Sequence, residues 1–189
     1  MKLRSVLLGS LFAIVMAAPA QASLVVYRTL LNGATETPPV VTPATGASQV
    51  TYDTLLHTLL VELSWNGLIG GPAAAGHIHC CTAPGSNVGV TVPFVGLPAV
   101  VSGSYVHLFD LTATSTYTAA FVTANGGTAA GAEAALIAGI NAGRAYVNIH
   151  DATFPGGEIR GFLTPEPATL ALMLVGIGAV GALRRRRKV

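Results

Sequence analysis

Two apolar runs flanked by cations, one at each end, decide how much of this 189-residue chain is free to fold in water. At the N-terminus Lys2 and Arg4 precede an uncharged run from Val6 to Ala18, followed by Ala20-Gln21-Ala22, the small-x-small pattern a signal peptidase cuts. Thirteen residues make roughly 20 Å of helix, short of a hydrocarbon core near 30 Å. Residues 1–22 therefore read as a cleaved export signal, with signal peptidase as a partner and a mature chain starting at Ser23. At the C-terminus Pro165-Glu166-Pro167 is followed by an uncharged run over 168–183 and then by Arg184, Arg185, Arg186, Arg187 and Lys188. That run gives about 24 Å of helix, enough to span a thinned bilayer or one in which the arginines snorkel. We expect a transmembrane helix there. The basic tail 184–188 then stays in the cytoplasm and everything before Pro165 lies across the inner membrane.

The middle, 23–164, is expected to be one domain of about 140 residues, enough to bury roughly two thirds of its unfolded surface. It holds three arginines (28, 144, 160) against seven acids, because seven of the ten cations sit at the chain ends. So few cations exclude a nucleic-acid-binding surface. Leu59, Val61, Leu63 and Trp65 alternate with Thr58, Glu62 and Ser64, the period of a half-buried strand. Further extended stretches are expected at 25–31, 50–52, 76–80, 88–95, 104–112, 116–123, 144–150 and 158–163, with Gly and Pro breakers between them. This all-β pattern predicts a sandwich. The exception is 128–141, rich in Ala and Leu, which predicts one short helix capped by Thr128 and closed at Gly143.

His77 and His79 stand at i and i+2, on one face of a strand, and Asn148 and His150 repeat the spacing. The segment 154–161 should fold back as a hairpin, bringing Glu158 and Arg160 toward Asn148 and His150. One reading is a zinc or copper site with His77, His79 and His150 as nitrogen ligands and Glu158 as a fourth ligand or a hydrogen-bonding support. The other is a polar rim without metal, in which Glu158 pairs with Arg160 or Arg144. His57 and His107 have no such company and read as surface or rim residues. Cys80 and Cys81 admit three states: a vicinal disulfide, which we favour, free thiols, or a thiolate that joins the histidines. No serine or histidine occurs in a turn motif that would activate a nucleophile, and Gly126-Gly127 lacks the Lys-Ser or Lys-Thr of a phosphate loop.

The tripartite C-terminus, Pro165-Glu166-Pro167, apolar segment and arginine cluster, resembles the PEP-CTERM sorting signal over 165–189. That resemblance implies handling by an exosortase, with the tail removed near the Pro-Glu-Pro. The middle resembles the CHRD domain, first recognised in secreted chordin. The likeness runs through Leu31-Asn32-Gly33-Ala34-Thr35-Glu36-Thr37-Pro38-Pro39-Val40, Leu63-Ser64-Trp65-Asn66-Gly67-Leu68, Ala75-Gly76-His77-Ile78-His79, Ala145-Tyr146-Val147-Asn148-Ile149-His150 and Phe154-Pro155-Gly156-Gly157-Glu158-Ile159-Arg160-Gly161. Cys80-Cys81 stands where the common form has Gly-Pro. The family implies an immunoglobulin-like, Greek-key β-sandwich in an extracellular setting, with no established bacterial activity. A looser likeness to copper-zinc superoxide dismutase rests on the His-x-His of a strand; that enzyme uses more metal ligands than three histidines. The expectation is a non-catalytic binding or structural module of the cell surface or extracellular matrix, without a cofactor, that touches exopolysaccharide or surface proteins. A copper or zinc redox protein is the alternative.

Overall fold

In the computed structural model, which describes residues 24–166, the alternation of 58–65 is realised as a nine-residue strand. Leu59, Val61, Leu63 and Trp65 are buried, and Leu60, Glu62 and Ser64 face outward. The strands are β1 (Leu24–Asn32), β2 (Thr45–Asp53), β3 (Thr58–Asn66), β4 (Ala75–Cys80), β5 (Val90–Pro93), β6 (Gly103–Asp110), β7 (Ala145–His150), β8 (Ile159–Phe162) and β9 (Thr164–Pro165). They are antiparallel throughout, in the order β5-β4-β7-β8-β1-β2-β3-β6, with β9 added to β1. Two separate sheets were expected from the pattern. One continuous ladder forms instead, with β1 joined to β8 at a single pair, Asn32 with Arg160. The sheet curls until its two edges meet: Phe94, just past β5, stacks on Tyr105 of β6 at 5.2 Å, and Tyr105 donates to the Val95 carbonyl. Curling buries one face of every long strand around Tyr27, Val50, Ile78, Val147 and Ile159.

Helix α2 (Ala129–Asn141) fills the predicted place, and the Thr128 hydroxyl accepts from Gly131 N–H as its N-cap. Gly143 follows with φ +64°, a conformation that side chains disfavour. The expected strand at 116–123 is a correction. A 3₁₀ turn (Thr114–Thr116) and helix α1 (Ala119–Ala124) stand there, because Thr118 caps the first turn through Phe121 N–H and its own hydroxyl donates to the Val90 carbonyl. A threonine-rich run reads as a strand by propensity, yet here the hydroxyls start a helix.

Helix α2 closes one end of the curled sheet. Tyr27 donates to Asn141, Tyr52 donates to Glu133, and Glu133 also faces the His57 ring at 2.8 Å. At the other side of the helix Gly139 lies so close to the sulfurs of Cys80 and Cys81 that a Cβ there would collide with both. Of the described residues, no helix is long and apolar enough to cross a membrane. The export signal with Ala20 and Ala22, the expected span over 168–183, Pro167 and Arg184–Arg187 lie outside the described residues. Pro165 and Glu166 lie within them, held against β1.

Candidate metal centre

Antiparallel pairing places opposite residues on the same face, so the register of β4 and β7 assembles the site. His77 lies opposite Asn148, His79 opposite Tyr146 and Ala75 opposite His150, while Asn148 in turn lies opposite Arg160 of β8. All of these side chains leave the outer face of the sheet, the face that Ile78 and Val147 do not use.

The three imidazoles converge. One ring nitrogen from each of His77, His79 and His150 lies within 4.8 Å of the other two. His77 Nδ1 faces His150 Nε2 at 3.1 Å, near the roughly 3.4 Å expected between imidazole nitrogens that share an ion at about 2.0–2.1 Å. The outer nitrogens of His79 and His150 are spoken for. His79 Nδ1 donates to the Val88 carbonyl at 2.8 Å, and His150 Nδ1 donates to the Pro155 carbonyl at 3.0 Å. These two bonds fix the tautomers and leave both Nε2 lone pairs pointing into the cluster. His77 Nδ1 can satisfy His150 as a hydrogen-bond donor. His79 Nε2 has no such partner: it is buried and meets no donor or acceptor.

Burial first, then neighbouring histidines, pulls His77 down to about 4, and burial likewise brings His79 down to about 4 and lowers His150. All three rings are therefore neutral at pH 7, the form that can ligate a metal. Because these rings bind protons more weakly folded than unfolded, their contribution is full above about pH 6.5 and is lost as pH falls through 4. We expect the midpoint of urea unfolding of the metal-free protein to drop across that window, and to drop less when His77 is replaced by Gln.

A buried polar layer supports the cluster. Tyr146 stacks on His79 at 4.7 Å and 6°, and the Arg160 guanidinium sits 4.6 Å from the centre of the same Tyr146 ring. Arg160 donates through Nε to Glu36 at 2.5 Å and through Nη2 to Asn87 at 2.6 Å, and Asn148 donates to Glu36 at 2.9 Å. Glu36, Asn148 and Arg160 are all almost wholly buried. Arg160 thereby grips the loop that carries Val88, the carbonyl acceptor of His79. Spacing identifies Arg160 and Asn148 but gives Glu36 no role, since 124 residues separate it from Arg160.

Glu158 is a correction. It is fully buried, but its carboxylate accepts from the Thr42 hydroxyl at 2.5 Å and from the Ile69 and Gly70 amides, and it is absent from the convergent group. It pairs with neither Arg160, which belongs to Glu36, nor Arg144. Cys80 and Cys81 form a disulfide in the structure. A thiolate joining the histidines is not realised, since Cys80 follows His79 directly on a strand and faces the opposite side, toward Gly139 and the Ala135 carbonyl. His57 is a rim residue, as expected. His107 is instead half-buried between Tyr105 and Phe109, with ring centroids 5.8 Å and 4.4 Å away.

Residues 27–163 match the CHRD domain family, a stretch that contains every side chain of this site. The chain belongs to the CHRD domain family. Residues 163–188 match the PEP-CTERM protein-sorting motif, which marks this CHRD protein for exosortase processing and for export to the cell envelope or surface. No curated protein and no solved structure matches the chain. The motif segments around Glu36, His77, Asn148 and Glu158, scattered over more than 120 residues, meet in this one polar layer of the CHRD domain.

Proposed function

We propose that this CHRD protein is a non-catalytic module of the outer cell surface that binds one zinc or copper ion through His77, His79 and His150. On this reading signal peptidase removes residues 1–22, the apolar segment 168–183 holds the chain at the inner membrane in transit, and an exosortase cuts near Pro165-Glu166-Pro167. The observation that carries the metal is the buried, unpartnered Nε2 of His79, on a ring that converges with those of His77 and His150 while its own Nδ1 is tied to Val88. Leaving a buried nitrogen lone pair without a partner costs about 1–3 kcal/mol, and a metal ion removes that cost. Three neutral nitrogen donors with no carboxylate suit zinc or copper over calcium or magnesium. An ion bound there would be a Lewis acid with room for a further ligand.

Metal-free protein titrated with zinc sulfate, and separately with a copper(II) salt, should bind one equivalent and gain thermal stability in proportion to the logarithm of free metal. His79→Ala should lower affinity by more than the 10- to 100-fold that loss of an outer hydrogen-bonding partner costs. Binding that is weaker than millimolar in the wild type, or unchanged in His79→Ala, would refute the site.

A further inference from the structure

We infer that the end of the fold closed by helix α2 rests on the surface of a lipid bilayer for as long as the C-terminal segment is attached. The inference stands on the reading of 168–183 as a membrane-held segment. The first argument is where the described chain ends. Thr164 and Pro165 pair with Arg28 and Tyr27, Glu166 N–H donates to the Val26 carbonyl at 3.0 Å, and Arg28 Nε meets the Glu166 carboxylate at 2.7 Å. The apolar run begins two residues later, at Ala168. Two residues reach at most about 7 Å, so a bilayer that takes up 168–183 lies within that distance of Glu166, which pairs beside Val26 near the start of β1. β1 begins at this same end, at Leu24.

The second argument is what this end presents. Leu24 is 62%, Leu55 52% and Leu56 65% exposed. Leu24 lies opposite Asp53, whose carboxylate accepts from the Leu55 and Leu56 amides at 2.8 Å and 2.9 Å, so the turn that offers the two leucines is held rigid. From Thr112 to Gly143 the sole charged residue is Glu133, and it is buried against Tyr52 and His57. The outward positions of α2 are Ala130, Ala134, Ala138 and, at its last residue, the uncharged Asn141. A helix facing water normally carries charges there; one without them suits an apolar boundary. The charged groups around this end, Asp53, Asp110 and Glu166 against Arg28 and Arg144, nearly balance, so the attraction to the bilayer is apolar rather than electrostatic.

The test uses the full chain reconstituted in phosphatidylcholine vesicles with shallow-brominated acyl chains, first washed with alkaline carbonate. Leu55→Trp is compared with Val41→Trp; Val41 is 98% exposed in the β1–β2 connection, at the far end of those strands, and the native Trp65 is common to both variants. We expect bromine to quench the introduced indole of Leu55→Trp at least about twofold more than that of Val41→Trp. Equal quenching in carbonate-resistant protein would overturn the docking. So would an introduced indole in Leu55→Trp that is shielded from aqueous acrylamide yet untouched by bromine, which would mean that a protein covers this face. Release of the whole chain by carbonate would instead overturn the membrane-held reading beneath it.

Discussion

Arg160→Met is expected to lower the free energy of unfolding by about 3–5 kcal/mol, the cost of leaving a buried charge without its partner. Glu36 would remain almost wholly buried, with the Asn148 amide as its remaining side-chain donor. The side chain of methionine fills much of the arginine's volume, so the loss reports charge and hydrogen bonding more than a cavity. Two comparisons separate these. Glu36→Gln alone should also destabilise, because the guanidinium is then buried without an anion. The double variant should recover part of the loss, since neither charge is left alone, and a denaturant-unfolding cycle over the four proteins measures that coupling. Strictly additive losses would mean that the pair at 2.5 Å contributes no interaction of its own. The same substitution reaches the histidines. Arg160 holds Asn87 and Ser86, and the next residue, Val88, is the acceptor for His79. Zinc affinity should therefore fall about 10- to 100-fold in Arg160→Met even though no ligand is touched; an unaltered affinity would show that the loop keeps Val88 in place by itself.

The parts of this layer that can be read from the chain alone are those separated by two residues on one strand. His77 with His79, and Asn148 with His150, share a face by the period of a strand, and Gly156-Gly157 announces the hairpin that returns Arg160 to Asn148. Glu36 cannot be placed that way, because its position depends on β1 closing against β8 through the single Asn32–Arg160 pair. Glu158 departs from expectation for a related reason. Its backbone lies next to β7 as expected, donating to the Ile149 carbonyl, but its carboxylate is taken by the amides of Ile69 and Gly70 from a loop whose path no local pattern encodes. The helix at 129–141 is legible because Thr128 and Gly143 mark its ends. The helix at 119–124 is not, because threonines that cap and threonines that pair in strands look alike without their partners.

Asp151→Asn is expected to stabilise the protein at neutral pH, because folding raises the pKa of the aspartate and its ionisation therefore opposes folding. Asp151 and Glu158 are buried side by side, and Asp151 Oδ2 has no partner other than the neighbouring carboxyl. Burial, then Glu158, lifts Asp151 from its ordinary 3.8 to about 6. Burial would raise Glu158 too, but the Asp151 carboxyl, the Thr42 hydroxyl and the Ile69 and Gly70 amides outweigh it and hold Glu158 below its ordinary range. Ionising Asp151 at pH 7 thus works against folding. Asparagine keeps an acceptor for the Thr153 and Phe154 amides and brings a permanent N–H toward Glu158. A carboxyl whose pKa is raised on folding contributes stability that is full below its unfolded pKa and lost as pH rises through the folded one. The advantage of Asn over Asp should therefore be complete above about pH 6 and vanish below about pH 4. This runs opposite to the histidines, whose contribution falls as pH falls across nearly the same window. In the metal-free wild type the two partly cancel and flatten the pH profile. Removing Asp151 exposes the histidine limb, so unfolding of Asp151→Asn followed by urea from about pH 4 to 7.5 should be steeper than that of the wild type. A gain that is the same at both ends of that range would show that Asp151 is not the proton-sharing member of the pair.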